Sequence, residues 1–335
     1  MAWVVEVRGV KAAWYERFGP ADEVLEVGEL ADPAPGPGEV LVRVKATAVN
    51  PSDVKLRAGA RPGAVMQFPR IVPQSDGAGV VEAAGDGVDP ARVGQRVWVW
   101  NGQWQRAFGT AAELIAVPEA QAVPLPDGTS FAEGACFGIP AMTAWYALFG
   151  DGADLAGRTV LVTGGAGTVG RYACQMARLV GARVITTVSS ADKAQHSTAE
   201  EWINYREVAV PEAVMELTKG AGVDRVVEVD FGANQADTVE VLDPGGVVAS
   251  YASAGVMAPE LQFYPLMFKN ITLRMLIAYL IPLEAHRRGE AMLAAWLEAG
   301  ALSHALVPGG SLADMAAAHA VVEQGEKLGT VVVDV

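Results

Sequence analysis

The 335-residue chain is poor in the side chains that bind metals: two cysteines, Cys136 and Cys174, and four histidines, His196, His286, His304 and His319. A zinc ribbon needs four ligands at tight spacing, so this cysteine count excludes one. Both thiols lie in apolar surroundings and read as buried and reduced. The histidines are dispersed, with no carboxylate or cysteine neighbour that suggests a site, and surface or helix positions are expected for all four. Positive charge is scarce as well. Twenty-five Lys and Arg against 39 Asp and Glu leave a formal net charge of −14. That balance favours solubility and argues against nonspecific nucleic-acid binding, although a local basic cluster can still receive an anion. Long apolar runs are missing too. The composition is 51% apolar, yet no window offers the roughly 18–20 uncharged residues that a membrane span needs. The longest run, "ITLRMLIAYLIP", contains Arg274, ends at Pro282 and reads as a buried strand. The start lacks the basic flank and cleavage site of a signal peptide, so a cytoplasmic protein is expected. No G-x-S-x-G elbow, H-E-x-x-H motif or P-loop occurs.

What is present falls into two patterns. The first part is β-rich, with short runs such as "EVLVRVKATAVN", "GAGVVEAAG" and "VGQRVWVW" separated by Pro-Gly punctuation. From Phe131 the period changes. "FAEGACFGIPAMTAWYALF" reads as a helix broken at Gly138 and Pro140, and strands then alternate with helices. Thr159–Thr163, Arg183–Val188, "WINY", "DRVVEV" and "GGVVASY" are the strands, and such alternation predicts a parallel sheet with right-handed crossovers. After Asn270 come an apolar strand, a helix around Glu284–Ala299, another near Leu312–Val322 and the terminal strand "TVVVDV".

"VLVTGGAGTVGRYACQMARLVGARVITTVSS" carries the chemistry. Gly165, Gly167 and Gly170 fit G-x-G-x-x-G between an apolar strand and a helix whose Ala173, Met176, Ala177 and Val180 share one face. In a dinucleotide-binding unit the first glycine permits the turn and the second lets the backbone approach the pyrophosphate. The third allows close helix–strand packing. The diphosphate then meets the helix N-terminus, formed by Gly165, Ala166, Gly167, Thr168, Val169 and Gly170. A tight strand-to-helix turn with no ligand is the plain alternative. An NAD-selective fold places Asp or Glu about 20 residues on, whereas this chain offers Ser189, Ser190 and Lys193, then Tyr205 and Arg206. Hydroxyls and cations suit a 2′-phosphate, so the cofactor expected is NADPH. Asp192 is the rival for an NAD-type contact, and Arg206 reads better as a surface charge.

Together with "AVNPSDVKLRAG", "SDGAGVVEAAG", "GIPAMTAWYAL" and "INYRE", this stretch resembles the medium-chain dehydrogenase/reductase superfamily. Within it the chain is similar to the zinc-free quinone oxidoreductase branch, related to zeta-crystallin. The resemblance runs nearly end to end. It implies an α/β architecture: a GroES-like β-rich catalytic domain (1–130, completed by 274–335) plus a Rossmann domain with a doubly wound parallel sheet (131–273). A cleft for NADPH and a homodimer or homotetramer are implied as well. Zinc-dependent relatives carry a cysteine where this chain has Asn50, a His-Glu pair at Ser75–Asp76, and their third ligand near Ile139, so no metal is expected.

Without a Lewis acid the substrate must itself accept hydride, as a quinone or a carbonyl-conjugated C=C bond does. The resemblance places Asn50, Asp53 and Thr143 beside nicotinamide and substrate. Ser253 lies over the cofactor, and Ser189, Lys193 and Tyr205 map to the 2′-phosphate side. Lys55 and Arg61 stand where relatives carry tyrosines. Gly329–Thr330 replaces a usual Gly-Lys. Simpler roles are open for these residues: Asn50 satisfying backbone groups before Pro51, Asp53 capping the next helix, and Lys55 and Arg61 as solvated cations. Phe263, Tyr264, Met267 and Phe268 read as core or as pocket wall. Two alternatives stand beside a quinone or enone reductase. One is an enoyl-thioester reductase that uses Lys55 and Arg61 for a pantetheine or phosphate. The other is a non-catalytic NADPH-binding protein with a structural or sensing role.

Overall fold

The computed structural model describes residues 9–60 and 63–335. The chain divides into two compact units: one runs up to Ile139 and resumes at His304–Val335, and the other is Pro140–Ser303.

The first unit is built on strands. It contains β1 (Gly9–Trp14), α1 (Ala21–Val24), β2 (Glu26–Ala31), β3 (Glu39–Val49), α2 (Pro51–Arg57) and β4 (Asp76–Ala84). β5 (Arg96–Val99), β6 (Leu114–Pro118), β7 (Ala122–Pro124) and α3 (Phe131–Gly134) follow. β3 is central, antiparallel to β4 and β6. Valine-rich alternation packs Val40, Val42, Val44, Val81, Val97, Val99, Ile115 and Val117 into one core, each worth about 1.5–3 kcal/mol when fully buried. Gly79 is required where β4 presses on β3, because a Cβ there would overlap the Arg43 carbonyl. "FAEGACFGIPAMTAWYALF" breaks where the sequence predicts. Phe137–Ala141, with Pro140 inside it, forms a π-helical turn, because proline removes a helical donor and clashes with the preceding turn.

The second unit alternates strand and helix. Its elements are α4 (Met142–Phe149), β8 (Thr159–Val162), α5 (Thr168–Leu179), β9 (Arg183–Val188), α6 (Ala191–Ser197), β10 (Glu201–Asn204) and α7 (Val210–Thr218). Then come β11 (Val223–Glu228), α8 (Phe231–Val241), β12 (Leu242–Ser250), α9 (Phe263–Phe268), β13 (Thr272–Met275) and α10 (Leu283–Glu298). The parallel sheet runs β10-β9-β8-β11-β12-β13. This is the doubly wound order, reversing between β8 and β11, and such sheets take ligands outside the carboxyl ends of the strands at that point. The chain returns to the first unit through β14 (Leu306–Ser311), α11 (Met315–Gln324) and β15 (Thr330–Asp334). β15 lies antiparallel to β3 and parallel to β14.

Two expectations change here. The run "ITLRMLIAYLIP" does not form a buried strand: only Thr272–Met275 is extended, at the end of the sheet, with Thr272 and Met275 exposed. The resemblance implies boundaries at 130/131 and 273/274, but 131–139 pack in the first unit and 274–303 in the second. The reason is local. β13 continues the sheet on β12, and Gly289 brings α10 against Met142 and Trp145.

Candidate functional site

The glycine turn divides its labour differently from the simple motif. The left-handed residue is Gly164, at φ +68°, so it and not Gly165 makes the turn. A Cβ on Gly165 would overlap the Thr186 hydroxyl of β9. A Cβ on Gly170 would overlap the Gly164 carbonyl oxygen and sit 2.8 Å from Gly165 Cα. Gly167, the N-cap of α5, meets only the Gly164 oxygen at 3.2 Å, so one side of its backbone stays open for close approach. Helix α5 opens at Thr168 just after this turn, and the positive end of a helix dipole favours an anion. Ala166 is buried within the loop. The turn is pinned to β9 by Gly164 N donating to Thr187 Oγ1 (3.0 Å) and Gly165 N to Thr187 O (3.1 Å). Gly165 and Gly170 let the turn pack tightly on β9 and α5, and the open side at Gly167 fits a diphosphate.

The end of β9 brings the second group together. Ser189 and Ser190 are half-buried, and Ser190 caps α6 by accepting from Lys193 N (3.3 Å). Tyr205 N donates to Val188 O (3.2 Å), one residue past the Asn204–Val188 register pair, and its side chain is exposed. Asp192 stands in the first turn of α6, past the strand end, and Arg206 is exposed.

Glu228 is a residue that the sequence reading passed over. It ends β11, is fully buried, and accepts from Thr163 Oγ1 (3.0 Å), Asp230 N (2.6 Å), Asn234 Nδ2 (2.8 Å) and Thr238 Oγ1 (3.2 Å). Burial raises its carboxyl above the usual range against these hydrogen bonds. It ties the ends of β8 and β11 together at the point where the sheet reverses. The signal was Glu228 set between valines in "DRVVEV". Beyond β12, Ser253 Oγ accepts from Gly232 N (2.9 Å) and donates to Val256 O (2.5 Å), so it braces its own loop. Thr143 is buried in α4.

In the first unit Asn50 and Asp53 do what a strand-to-helix junction asks of them. Asn50 is the extended N-cap of α2, and its N–H donates to Asp53 Oδ2 (2.8 Å). Asn50, Ile139 and Asp76 of the Ser75–Asp76 pair, drawn from the three places where zinc-dependent relatives carry ligands, also meet. Asp76 Oδ2 accepts from Asn50 Nδ2 (3.0 Å) and from Ile139 N (2.8 Å). An amide N–H and a main-chain N–H that both donate to one carboxyl oxygen, with no cysteine or histidine among them, are not a zinc donor set. Among the described residues no three His, Cys, Asp or Glu side chains group to hold a metal. Lys55 is exposed on α2, and Arg61 lies outside the described residues.

Several side chains depart from expectation. Phe263, Tyr264, Met267 and Phe268 are exposed, so they are not core. His286 and His319 are fully buried, and His286 Nδ1 lies 2.8 Å from Glu290 Oε1. That carboxylate sits one helical turn on, a pairing which a search of near neighbours misses. Cys136 and Cys174, by contrast, are buried as the sequence predicts, and burial pushes both thiols up to about 12.

A GroES-like β unit joined to a doubly wound unit with a glycine turn defines a two-domain nucleotide-dependent dehydrogenase or reductase. Residues 36–127 match the family described as "Alcohol dehydrogenase GroES-like domain", and residues 168–295 match "Zinc-binding dehydrogenase". The chain is 33% identical to the quinone oxidoreductase of Rattus norvegicus over 240 residues, 70% of each chain. A quinone oxidoreductase structure from Pseudomonas syringae superposes with a TM-score of 0.86 at 29% identity, covering 97% of this chain and 100% of that one. A mycobacterial protein solved in complex with NADPH gives 0.84 at 30% identity, with the same coverage. The chain belongs to the zinc-independent, quinone oxidoreductase-like branch of the medium-chain dehydrogenase/reductase superfamily. Its second unit is the Rossmann-type, NAD(P)-binding domain of that superfamily.

Proposed function

We propose that the protein is an NADPH-dependent, zinc-independent oxidoreductase that reduces quinones or carbonyl-conjugated alkenes. The observation that carries this reading is the pairing of a glycine cradle with a non-metal donor set at Asn50, Asp76 and Ile139. NADPH, when bound, supplies the hydride. The chain's own residues do the rest. The turn from Gly165 to Gly170 holds the diphosphate at the α5 N-terminus, and Ser189, Ser190, Lys193 and Tyr205 receive the 2′-phosphate. Thr143 and Ser253 support the nicotinamide side. Asn50 donates an amide N–H to the substrate oxygen on which negative charge develops, work that needs orientation more than an ion. Asp53 holds the Asn50 backbone, Lys55 faces the outer part of the substrate, and water supplies the final proton.

The test is loss of NADPH absorbance with a panel of quinones, enones and crotonyl-CoA, with and without a chelator. Chelator-insensitive turnover of quinones or enones is expected. Turnover of crotonyl-CoA alone, weakened by Lys55→Ala, would transfer the reading to an enoyl thioester. Tight NADPH binding with no acceptor reduced would leave a binding protein.

The homodimer belongs to the same proposal. β13 ends its sheet order, and Met275 (61% exposed), Phe268 (79%) and Leu280 (65%) surround that edge with apolar surface. A second copy pairing β13 across a two-fold axis continues the sheet and covers these side chains. Phe268→Glu with Met275→Lys should halve the mass seen by light scattering; an unchanged mass removes the edge as interface. Two buried reduced thiols support a cytoplasmic location, which fractionation tests. Among the described residues no helix is long and apolar enough to cross a membrane.

A further inference from the structure

Asp76 is held from every side. Its main-chain oxygen accepts from Thr47 Oγ1 (3.0 Å) and Thr110 Oγ1 (2.7 Å), and those hydroxyls lie 2.7 Å apart. Its side chain is fully buried, with Oδ2 taking the N–H groups of Asn50 and Ile139. Oδ1 has no hydrogen-bond partner among the described residues and packs on Gly138, where a Cβ would overlap it. The π-helical turn is what makes this possible, since it exposes Ile139 N and leaves only a glycine opposite Oδ1. Such a carboxyl has no room to rotate.

We propose that Asp76 is a positioning residue for the reduction: its carboxyl fixes which way round the Asn50 side-chain amide sits, and so which group meets the substrate oxygen. A primary amide turned by 180° keeps its shape and exchanges C=O for NH2, so packing alone does not select one orientation. A carboxyl oxygen that already accepts Ile139 N selects strongly. Facing it with the Asn50 nitrogen makes a hydrogen bond, whereas facing it with the Asn50 oxygen sets two acceptors against each other. The selection holds in either protonation state. Burial drives the Asp76 carboxyl well above the ordinary range, the Ile139 N–H opposes, Asp53 adds to the rise and the Asn50 amide opposes. With the proton on Oδ1, Oδ2 remains an acceptor, so Asn50 still gives it one Nδ2 proton and keeps the other for the substrate oxygen.

The proposal rests on the assignment of Asn50 to the substrate oxygen, and one set of variants separates the two ideas. Turnover of a quinone at saturating NADPH is compared for wild type, Asn50→Ala, Asp76→Ala, Asp76→Asn and the double alanine variant. Asn50→Ala and Asp76→Ala should each lower kcat about tenfold or more, because small misplacements at a reacting centre are costly. NADPH affinity, set in the other unit, should stay unchanged. The double variant should be no worse than the single ones. Asp76→Asn, whose amide oxygen can accept the same two N–H groups, should stay within about threefold of wild type. An unaffected Asn50→Ala overturns the role of Asn50 itself. A loss in Asn50→Ala with normal kcat in Asp76→Ala overturns the positioning role, as do additive losses or a slow Asp76→Asn. Should Asp76→Ala fail to fold, NMR of the wild-type protein decides. One of the two Asn50 Nδ2 protons should exchange with solvent markedly more slowly than the other, and equal exchange overturns the proposal.

Discussion

Replacing His319 by glutamine should flatten the acid side of the stability curve. His319 is fully buried on α11, with Nε2 2.9 Å from Gln74 Nε2 and no hydrogen-bond partner at Nδ1 among the described residues. Burial first, and the Arg57 cation second, push its imidazole down to about 3. Arg57 is itself buried and paired with Glu323, so the cation stays where it opposes a second one. An unfolded histidine titrates near 6.5. Between those two values the unfolded chain takes up a proton that the native protein refuses. Stability therefore falls as pH falls through the window, by about 1.4 kcal/mol per pH unit, and the loss from this one group reaches about 3 kcal/mol by about pH 4. Above about pH 7 the group contributes no slope. Urea unfolding of wild type and His319→Gln along an acid series measures this directly. The variant should be less stable at neutral pH by about 1–2 kcal/mol, the worth of a buried hydrogen bond and its packing. Its decline towards acid should be shallower by about one proton. An equal slope in both proteins, or an NMR titration of the His319 ring near its ordinary value, would refute the reasoning.

Other substitutions test other parts of the structure. Gly170→Val should abolish NADPH binding measured by calorimetry while the β-rich unit stays folded, because its Cβ overlaps the Gly164 carbonyl oxygen. Lys193→Ala should weaken NADPH by about tenfold, the loss of one charge-assisted contact of about 1.4 kcal/mol, and leave NADH unchanged; equal weakening of both would place Lys193 away from the 2′-phosphate. Arg225 donates to Ala147 O (2.7 Å) and Asp151 Oδ2 (2.6 Å) from a buried position. Arg225→Met should therefore destabilise the second unit by about 3 kcal/mol in thermal or urea unfolding, since it strands a partly buried carboxylate and a helix-end carbonyl. Retained stability would show that Arg274, 3.7 Å from Asp151, suffices.

Much of the site was legible in the sequence for local reasons. The glycine turn, the apolar strand before it and the face of α5 all lie within about 30 residues, where spacing dictates geometry. The serines that end β9 are likewise set by position along one strand. Even here the tight turn fell to Gly164, one residue before the motif's first glycine, because Gly165 was needed to clear Thr186. Glu228 and His286 were missed because their meaning lies in partners: Thr163 is 65 residues from Glu228 in the chain, and Glu290 is one helical turn from His286. Phe263, Tyr264, Met267 and Phe268 read as core or pocket wall because composition records how apolar a side chain is and not whether anything covers it.

Taken alone, the sequence determined the class of fold, the cofactor cradle and the loss of zinc ligands, since each depends on residue type at short spacing. Tertiary structure decided what the replacements do. Asn50, Asp76 and Ile139 come from the end of β3, the start of β4 and a π-helical turn, and only the packing of those three segments turns three unrelated residues into one hydrogen-bonded group. It also decided that β13 lies at the rim of its sheet, because pairing order is set by long-range contacts that local periodicity does not encode.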